Sequence, residues 1–278
     1  GNVRPVRGVY AMVAAAKAAG HGTAIVPFEN FCEAALVPGI TPIGVSTLLE
    51  AVEAAGRARG KKRRGIPFTP SCQPGAAPLK GATFADMKKT KGWSPAALRT
   101  LATAVKTKRS ILLVTPAGGN AVSIARRIPA LLPKLSARER DEVVAIHSAA
   151  GLLPPGWPGG FLPRPLRAPY HTTSVGAMIG GGAMIGVYPG EVTLAHRGVL
   201  MLDDVAEFPR TVLESVGNAW RDMGVTVMRS GGYPMRLPAY FLLVGIAYAG
   251  AGETPASVAS RAKLRGFPVE AVNPIGPS

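Results

Sequence analysis

The sequence predicts an α/β protein in which a parallel sheet is flanked by helices and preceded by a smaller α/β unit. Helix-like and strand-like segments alternate from residue 9 onward, the order that builds parallel sheets. The apolar runs at residues 111–114, 198–202 and 239–247 lack a polar alternation, as suits strands buried on both faces. A basic run followed by a Pro/Gly-rich stretch then divides the chain near residues 57–82.

Taken in order, residues 9–18 form an Ala-rich helix stopped by Gly20, and residues 23–27 a short strand. A short helix at 31–36, a strand at 40–45 and a helix at 47–56 complete the first unit. Residues 57–64 read RARGKKRR, six basic residues in eight, and residues 65–81 hold four prolines and three glycines. The domain division is placed here, with units at 1–56 and 83–278 and a linker at 57–82. Ser94 followed by Pro95 has the chemistry of a helix start within 84–108.

Residues 111–114 are then a strand and 123–132 a helix, with a second helix at 136–153. Residues 152–169 are proline-rich and expected to be irregular, and Gly180, Gly181 and Gly182 are expected to interrupt regular structure. The segment 198–204, GVLMLDD, is a strand ending in two carboxylates, Asp203 and Asp204. On a parallel sheet that end faces the ligand crevice. A helix at 208–220, a strand at 225–229 and the apolar strand at 239–247 follow, and the tail from 255 holds one short helix and proline turns.

Composition narrows the function classes. With 278 residues, 47% of them hydrophobic, the chain can bury a sizeable core. No apolar run reaches the roughly 18 residues of a membrane helix, so no membrane partner is expected. Two cysteines, Cys32 and Cys72, form neither a disulfide framework nor a four-cysteine zinc site, and free thiols in a reducing compartment are expected. The chain begins with Gly and shows no signal-peptide pattern, which suggests a processed start or further sequence upstream.

The net charge is +16, of which +12 falls in residues 1–110. Such asymmetry suits a surface facing nucleic-acid phosphate, where neutralised phosphates release counterions. The contact candidates are Arg57, Arg59, Lys61, Lys62, Arg63 and Arg64 in the basic run, Lys88, Lys89 and Lys91 beyond it, and Arg164 and Arg167 in RPLRAPYH. A solvated basic face, and for the last two arginines pairing with nearby acids, are the alternatives.

The segment 111–127 has the outline of a nucleotide-binding strand, loop and helix. A phosphate-binding loop needs G-x-x-x-x-G-K-[ST], in which the Lys reaches the β/γ oxygens and the hydroxyl ligates Mg²⁺. Here the eight positions run from Thr115 and Pro116 through Ala117, Gly118, Gly119 and Asn120 to Ala121 and Val122. Ala121 supplies no cation and Val122 no metal ligand. His171 and His196 lack metal-ligand spacing and read as hydrogen-bonded structural residues. No metal site is expected.

Several separate blocks resemble the magnesium-chelatase-type AAA+ proteins of the ComM/YifB group, bacterial ATPases linked to DNA branch migration. They are RPVRGVYAMVAAAKAAG and VPFENFCEAALVPGI in the first unit, then IARRIPALLPKLSARERDEVVAIHSAAGLL, RPLRAPYHTTS, MIGGG, PGEVTLAHRGVLMLDDVAEF and VLESVGNAWRDMGVTVMR. The resemblance implies that residues 1–56 close a Lon-protease-like domain and that 83–278 form an AAA+ core without the C-terminal helical lid.

Carried over residue by residue, the resemblance places the Walker A Lys on Ala121 and its Thr on Val122. The Walker B Asp is Asp203, and the catalytic Glu falls on Asp204. The sensor Asn falls on Tyr248, the family's Pro-Cys-Pro-Cys on Ala249 to Gly252, and the arginine finger on Ala271. An arginine finger alone is worth about 10³ to 10⁵ in rate, so hydrolysis is not expected, nor a bound cofactor.

The sequence thus leads to a non-enzymatic structural or assembly component of an RNA-containing complex, such as a divergent mitochondrial ribosome or its assembly intermediate. The expected partners are RNA and the proteins of a large complex, with DNA the alternative, and the expected compartment is mitochondrial, with cytoplasmic the alternative. Rival functions are an inactive subunit of a DNA branch-migration ATPase ring and a magnesium-chelatase regulatory subunit.

Overall fold

The computed structural model describes residues 1–58, 93–116, 118–153, 162–183, 186–228, 232–250, 253–254, 257–258, 260 and 269–272. The chain packs as two compact units, Gly1–Pro78 with Ala137–Leu162, and Leu79–Ser136 with Pro163–Ser278.

In the first unit, helix α1 (Val9–Ala18) leads to strand β1 (Thr23–Pro27). A short helix α2 (Phe31–Ala34) then precedes β2 (Thr41–Val45), which pairs parallel with β1, and α3 (Leu48–Ala58) follows. Residues 137–162, expected in the second unit, group with this one instead. The reason lies in helix α7 (Ala137–Ala150), whose Val144 is fully buried with Val9, Tyr10, Val13, Val26 and Ala34.

The same helix completes a buried polar knot. Glu33 accepts from the Tyr10 backbone N–H at 2.8 Å and from the Ser148 hydroxyl, while Gly8 N–H donates to Ser148 O at 3.0 Å. Buried polar groups must be paired, so these bonds tie α7 to α1 and α2 more firmly than apolar contact alone. Cys32 on α2 is disulfide-bonded, which corrects the expectation of a free thiol there. Cys72 lies outside the described residues.

The second unit is organised by a five-stranded sheet whose strand pairs are all parallel. Its members are β3 (Ser110–Pro116), β4 (Leu166–Arg167), β7 (Val199–Leu202), β10 (Leu242–Ala249) and β11 (Val269–Val272), in spatial order β11-β3-β10-β7-β4. Its central strands bury both faces. Leu112, Val114, Leu200, Leu202 and Leu243 pack on one side, and Ile111, Leu113, Val199, Met201 and Val244 on the other.

One face is covered by α10 (Arg210–Arg221) through Val212, Leu213 and Val216, together with α8 (Val175–Ile179) and α9 (Glu191–Leu194) through Met178 and Val192. The other carries α4 (Pro95–Thr107) through Leu98, Leu101 and Val105. The Ser94 hydroxyl caps α4 by accepting from Ala97 N–H at 3.1 Å, as its sequence implied.

Four expectations are corrected. The helix expected at 123–132 is two short pieces, α5 (Ala121–Ala125) and α6 (Ile128–Leu131), because Pro129 has no N–H to continue the ladder. Gly180 to Gly182 lie inside β5 (Gly180–Ala183), which pairs antiparallel with β6 (Gly186–Pro189). Glycine is needed there by close approach, since a Cβ on Gly180 would stand 2.4 Å from Tyr188 O.

Leu166 and Arg167, expected in an irregular stretch, form the sheet's edge strand β4. The tail, expected to be helix and turns, contributes β11 beside β3. Strand β8 (Gly224–Met228) also finds an antiparallel partner, β9 (Pro234–Pro238), with no sequence signal strong enough to announce it. No described helix is long and apolar enough to cross a membrane.

Candidate nucleotide-type site

The carboxyl ends of β3, β10 and β7 lie side by side, so the loop after β3 and the two aspartates after β7 flank the end of β10. In an open parallel sheet this edge is the expected ligand crevice. Tyr248 of β10 pairs with Thr115 of β3 in the register and stands between loop and carboxylates.

The loop itself keeps a tight glycine turn. Gly118 has φ +78, and Gly119 N–H donates to Pro116 O at 3.0 Å. A Cβ on Gly119 would lie 1.9 Å from Thr115 Oγ1 and 3.0 Å from Pro116 O, so a larger residue requires the Thr115 side chain to shift. Asn120 follows, and its side-chain oxygen accepts from the Trp93 indole N–H at 2.6 Å. Ala121 is fully buried in the core with Ile124 and Ala125, and Val122 packs partly buried against the same cluster. Both positions therefore contribute apolar surface to the core.

Across the crevice, Asp203 and Asp204 are half-buried. Asp203 Oδ1 accepts from the Tyr248 hydroxyl at 2.9 Å. Burial, and then that hydrogen bond with the nearby negative charge of Asp203 and Asp204, push the Tyr248 phenol up to about 12. The tyrosine therefore stays a donor throughout the physiological range. Asp204 adopts a left-handed conformation with φ 51 at the start of the short turn Val205–Glu207. Among the described residues no group of three His, Cys, Asp or Glu is placed to hold a metal ion.

The other candidates separate. Arg167 is a partner of Glu191, with Nε and Nη2 donating to its two carboxylate oxygens at 2.6 and 2.8 Å, the pairing with a nearby acid that the sequence left open beside a phosphate contact. The hydrogen bond to Glu191 raises its pKa against the opposing effect of burial. Arg164 donates to the carbonyls of Pro133 at 2.5 Å and Arg197 at 2.6 Å. His196 is buried and its Nδ1 accepts from the Tyr240 backbone N–H at 3.0 Å, whereas His171 is exposed in a turn.

Arg59, Lys61, Lys62, Arg63, Arg64, Lys88, Lys89 and Lys91 lie outside the described residues, as does the side chain of Arg57. Ala271 belongs to β11 in register with Leu112. Sequence reasoning did not find the Trp93–Asn120 and Tyr248–Asp203 bonds. Each joins an aromatic donor to a polar side chain 27 or 45 positions away, which no local pattern announces.

The family model described as "Magnesium chelatase, subunit ChlI" matches residues 86–261. An uncharacterized protein of Mycobacterium tuberculosis is 38% identical over 244 residues, 88% of this chain and 46% of that protein. Competence protein ComM of Haemophilus influenzae is 30% identical over 247 residues, again 88% of this chain and 46% of the relative. Uncharacterized protein YifB of Escherichia coli is 43% identical over 109 residues, 38% of this chain and 20% of its own length. The chain thus spans about half the length of the first two of these relatives. The matched segment contains the strand, the glycine turn and the paired aspartates, and the chain belongs to the magnesium chelatase ChlI family, as a ComM/YifB-like member with an α/β AAA+ fold.

Proposed function

We propose that this chain is a non-hydrolysing AAA+ module that serves as a structural or assembly component of a larger, RNA-containing complex. The observation that carries the reading is the 2.9 Å hydrogen bond from Tyr248 to Asp203, which engages the carboxylate a nucleotide's metal would need. Ala121 and Val122 support it from the other wall, offering neither cation nor hydroxyl. Phosphoryl transfer depends on positioning and charge stabilisation, and these three positions withhold both. The scaffold is retained while the chemistry grafted on it is not.

The net charge of +16, concentrated in the first 110 residues, supports a polyanionic partner. The particle proposed is a ribosome or its assembly intermediate in a divergent mitochondrion. Calorimetric titration with ATP and Mg²⁺ tests the first half of the reading. No binding is expected in the micromolar range, and turnover of ATP by the chain alone overturns it. Affinity purification from cells tests the second half. Ribonucleoprotein components are expected, and a chain that migrates alone at monomer size and binds no RNA refutes that half.

A second reading is supported by the relative named competence protein ComM: an inactive subunit within a mixed ring acting on DNA. It requires co-purification with an active paralogue and DNA-stimulated hydrolysis by the mixture. A pull-down containing only RNA-particle proteins removes it.

A further inference from the structure

The two faces of the five-stranded sheet carry different kinds of charge. Over one face, α10 interleaves both signs, with Arg210 bonded to Glu214 at 2.7 Å. Over the other lie α4, α5 and α6, which share one core through Leu98, Leu101, Ile124 and Ile128. The stretch of sequence that supplies them, residues 87–136, holds ten Lys and Arg and no Asp or Glu. A face that serves solubility alone intersperses the two signs, as α10 does, because mixed charges keep self-repulsion low.

The cations stand where a partner can reach them. On α4 the buried residues Ala97, Leu98, Leu101, Ala104 and Val105 form one stripe, and Arg99, Thr103 and Lys106 are exposed on the opposite side. Arg99 and Lys106 are two turns apart, about 10 Å along the axis. Arg109, just beyond α4, and Arg126, at the end of α5, are exposed as well. Among the described residues none of these four side chains enters an ion pair. A helix C-terminus favours cations through its dipole, which accounts for Lys106 in the last turn but not for Arg99 two turns earlier.

We infer that the layer of α4, α5 and α6 is a docking surface for the phosphate backbone of RNA, with Arg99, Lys106, Arg109 and Arg126 as its contacts. Cations gathered along one helix face are the electrostatic footprint of nucleic-acid binding. The rest of the exposed surface selects this occupant. No large apolar side chain described within residues 93–136 is exposed. The layer therefore has neither the apolar face that inserts into a membrane nor the anchors of a protein interface. It also offers no exposed aromatic ring on which a base could stack, so recognition is of the backbone and independent of sequence. The assignment deepens the proposed RNA association and rests on that reading for the choice of polymer.

The test is a fluorescence-anisotropy titration of the full chain with labelled duplex and single-stranded RNA across a salt series. Arg99→Gln, Lys106→Gln and Arg109→Gln combined are expected to weaken binding about tenfold or more near 0.1 M salt and to reduce the slope of log K against log salt by roughly 2–3. Thr103→Glu keeps every cation and places an acid at the centre of the face, and is expected to weaken binding severalfold. Arg210→Gln on α10 controls for total charge and should leave affinity and slope unchanged. Circular dichroism of each variant confirms that the fold persists. A folded triple variant with unaltered affinity and slope overturns the assignment. So does a single strand that binds far more tightly than the duplex, or a phosphatidylserine vesicle that displaces RNA from the unmodified chain. If neutralising residues 57–64 abolishes binding while the α4 variants do not, the surface assignment fails and the RNA reading stands. If neither form of RNA binds, both fall.

Discussion

The Tyr248 hydroxyl donates to Asp203 Oδ1 across 2.9 Å, joining the ends of two neighbouring parallel strands at the crevice of the sheet. A hydrogen bond to a carboxylate that is partly shielded from water contributes more than a neutral one. The phenol therefore ties the end of β10 to the turn that follows β7.

Replacing Tyr248 by Phe removes the donor and leaves the ring. Stability is expected to fall by about 1–2 kcal/mol, read from the urea midpoint at constant slope. An unchanged midpoint would show that the bond is not maintained in solution.

The same phenol predicts an alkaline limit. Its pKa lies at about 12 in the fold against 10.0 ordinarily, so above pH 10 the unfolded chain loses a proton that the folded chain keeps. The stabilising contribution is complete below about pH 10 and is lost as pH rises toward 12. Tyrosinate absorbance followed alongside thermal unfolding checks this, and Tyr248→Phe should flatten that portion of the profile.

His196 is buried, and its Nδ1 is the acceptor for the Tyr240 backbone N–H. His196→Ala leaves that donor unsatisfied and opens a small void, for an expected loss of about 2–3 kcal/mol. Denaturant titration measures it. A loss under about 0.5 kcal/mol would mean that water replaces the imidazole at little cost.

Arg167 is held by both oxygens of Glu191 with its side chain about one-third exposed. Arg167→Ala is expected to lower stability by about 1–2 kcal/mol and to leave affinity for oligonucleotides unchanged. A weaker oligonucleotide complex with unaltered stability would restore this residue to the list of phosphate contacts.

Met223 is exposed and has φ 51 at the end of α10. Met223→Gly relieves the left-handed strain and should raise stability by about 1 kcal/mol, visible as a higher melting temperature. A lower one would show that the methionine side chain contributes more than its backbone costs.

Much of the second unit was legible in the chain itself. Uninterrupted apolar runs at β3, β7 and β10 announced strands buried on both faces, because both faces of a covered parallel sheet favour apolar residues. The Ser94-Pro95 start of α4 was equally plain, since hydroxyl capping and the fixed φ of proline act within a few residues.

What only tertiary structure decided involves groups far apart in sequence. Helix α7 joins the first unit because Ser148 meets Glu33 across 115 positions, and no local periodicity encodes that choice. Strand β11 exists because β3 offers it an unpaired edge, and the glycines of β5 are regular because another backbone lies against them. Tyr248 reaches Asp203, and Lys108 and Arg197 meet over the Tyr240 ring, only once parallel strands align their ends. Local propensity and side-chain identity act over a few residues and can be read directly. The juxtaposition of distant polar groups is set by strand order and burial, which the completed fold alone specifies.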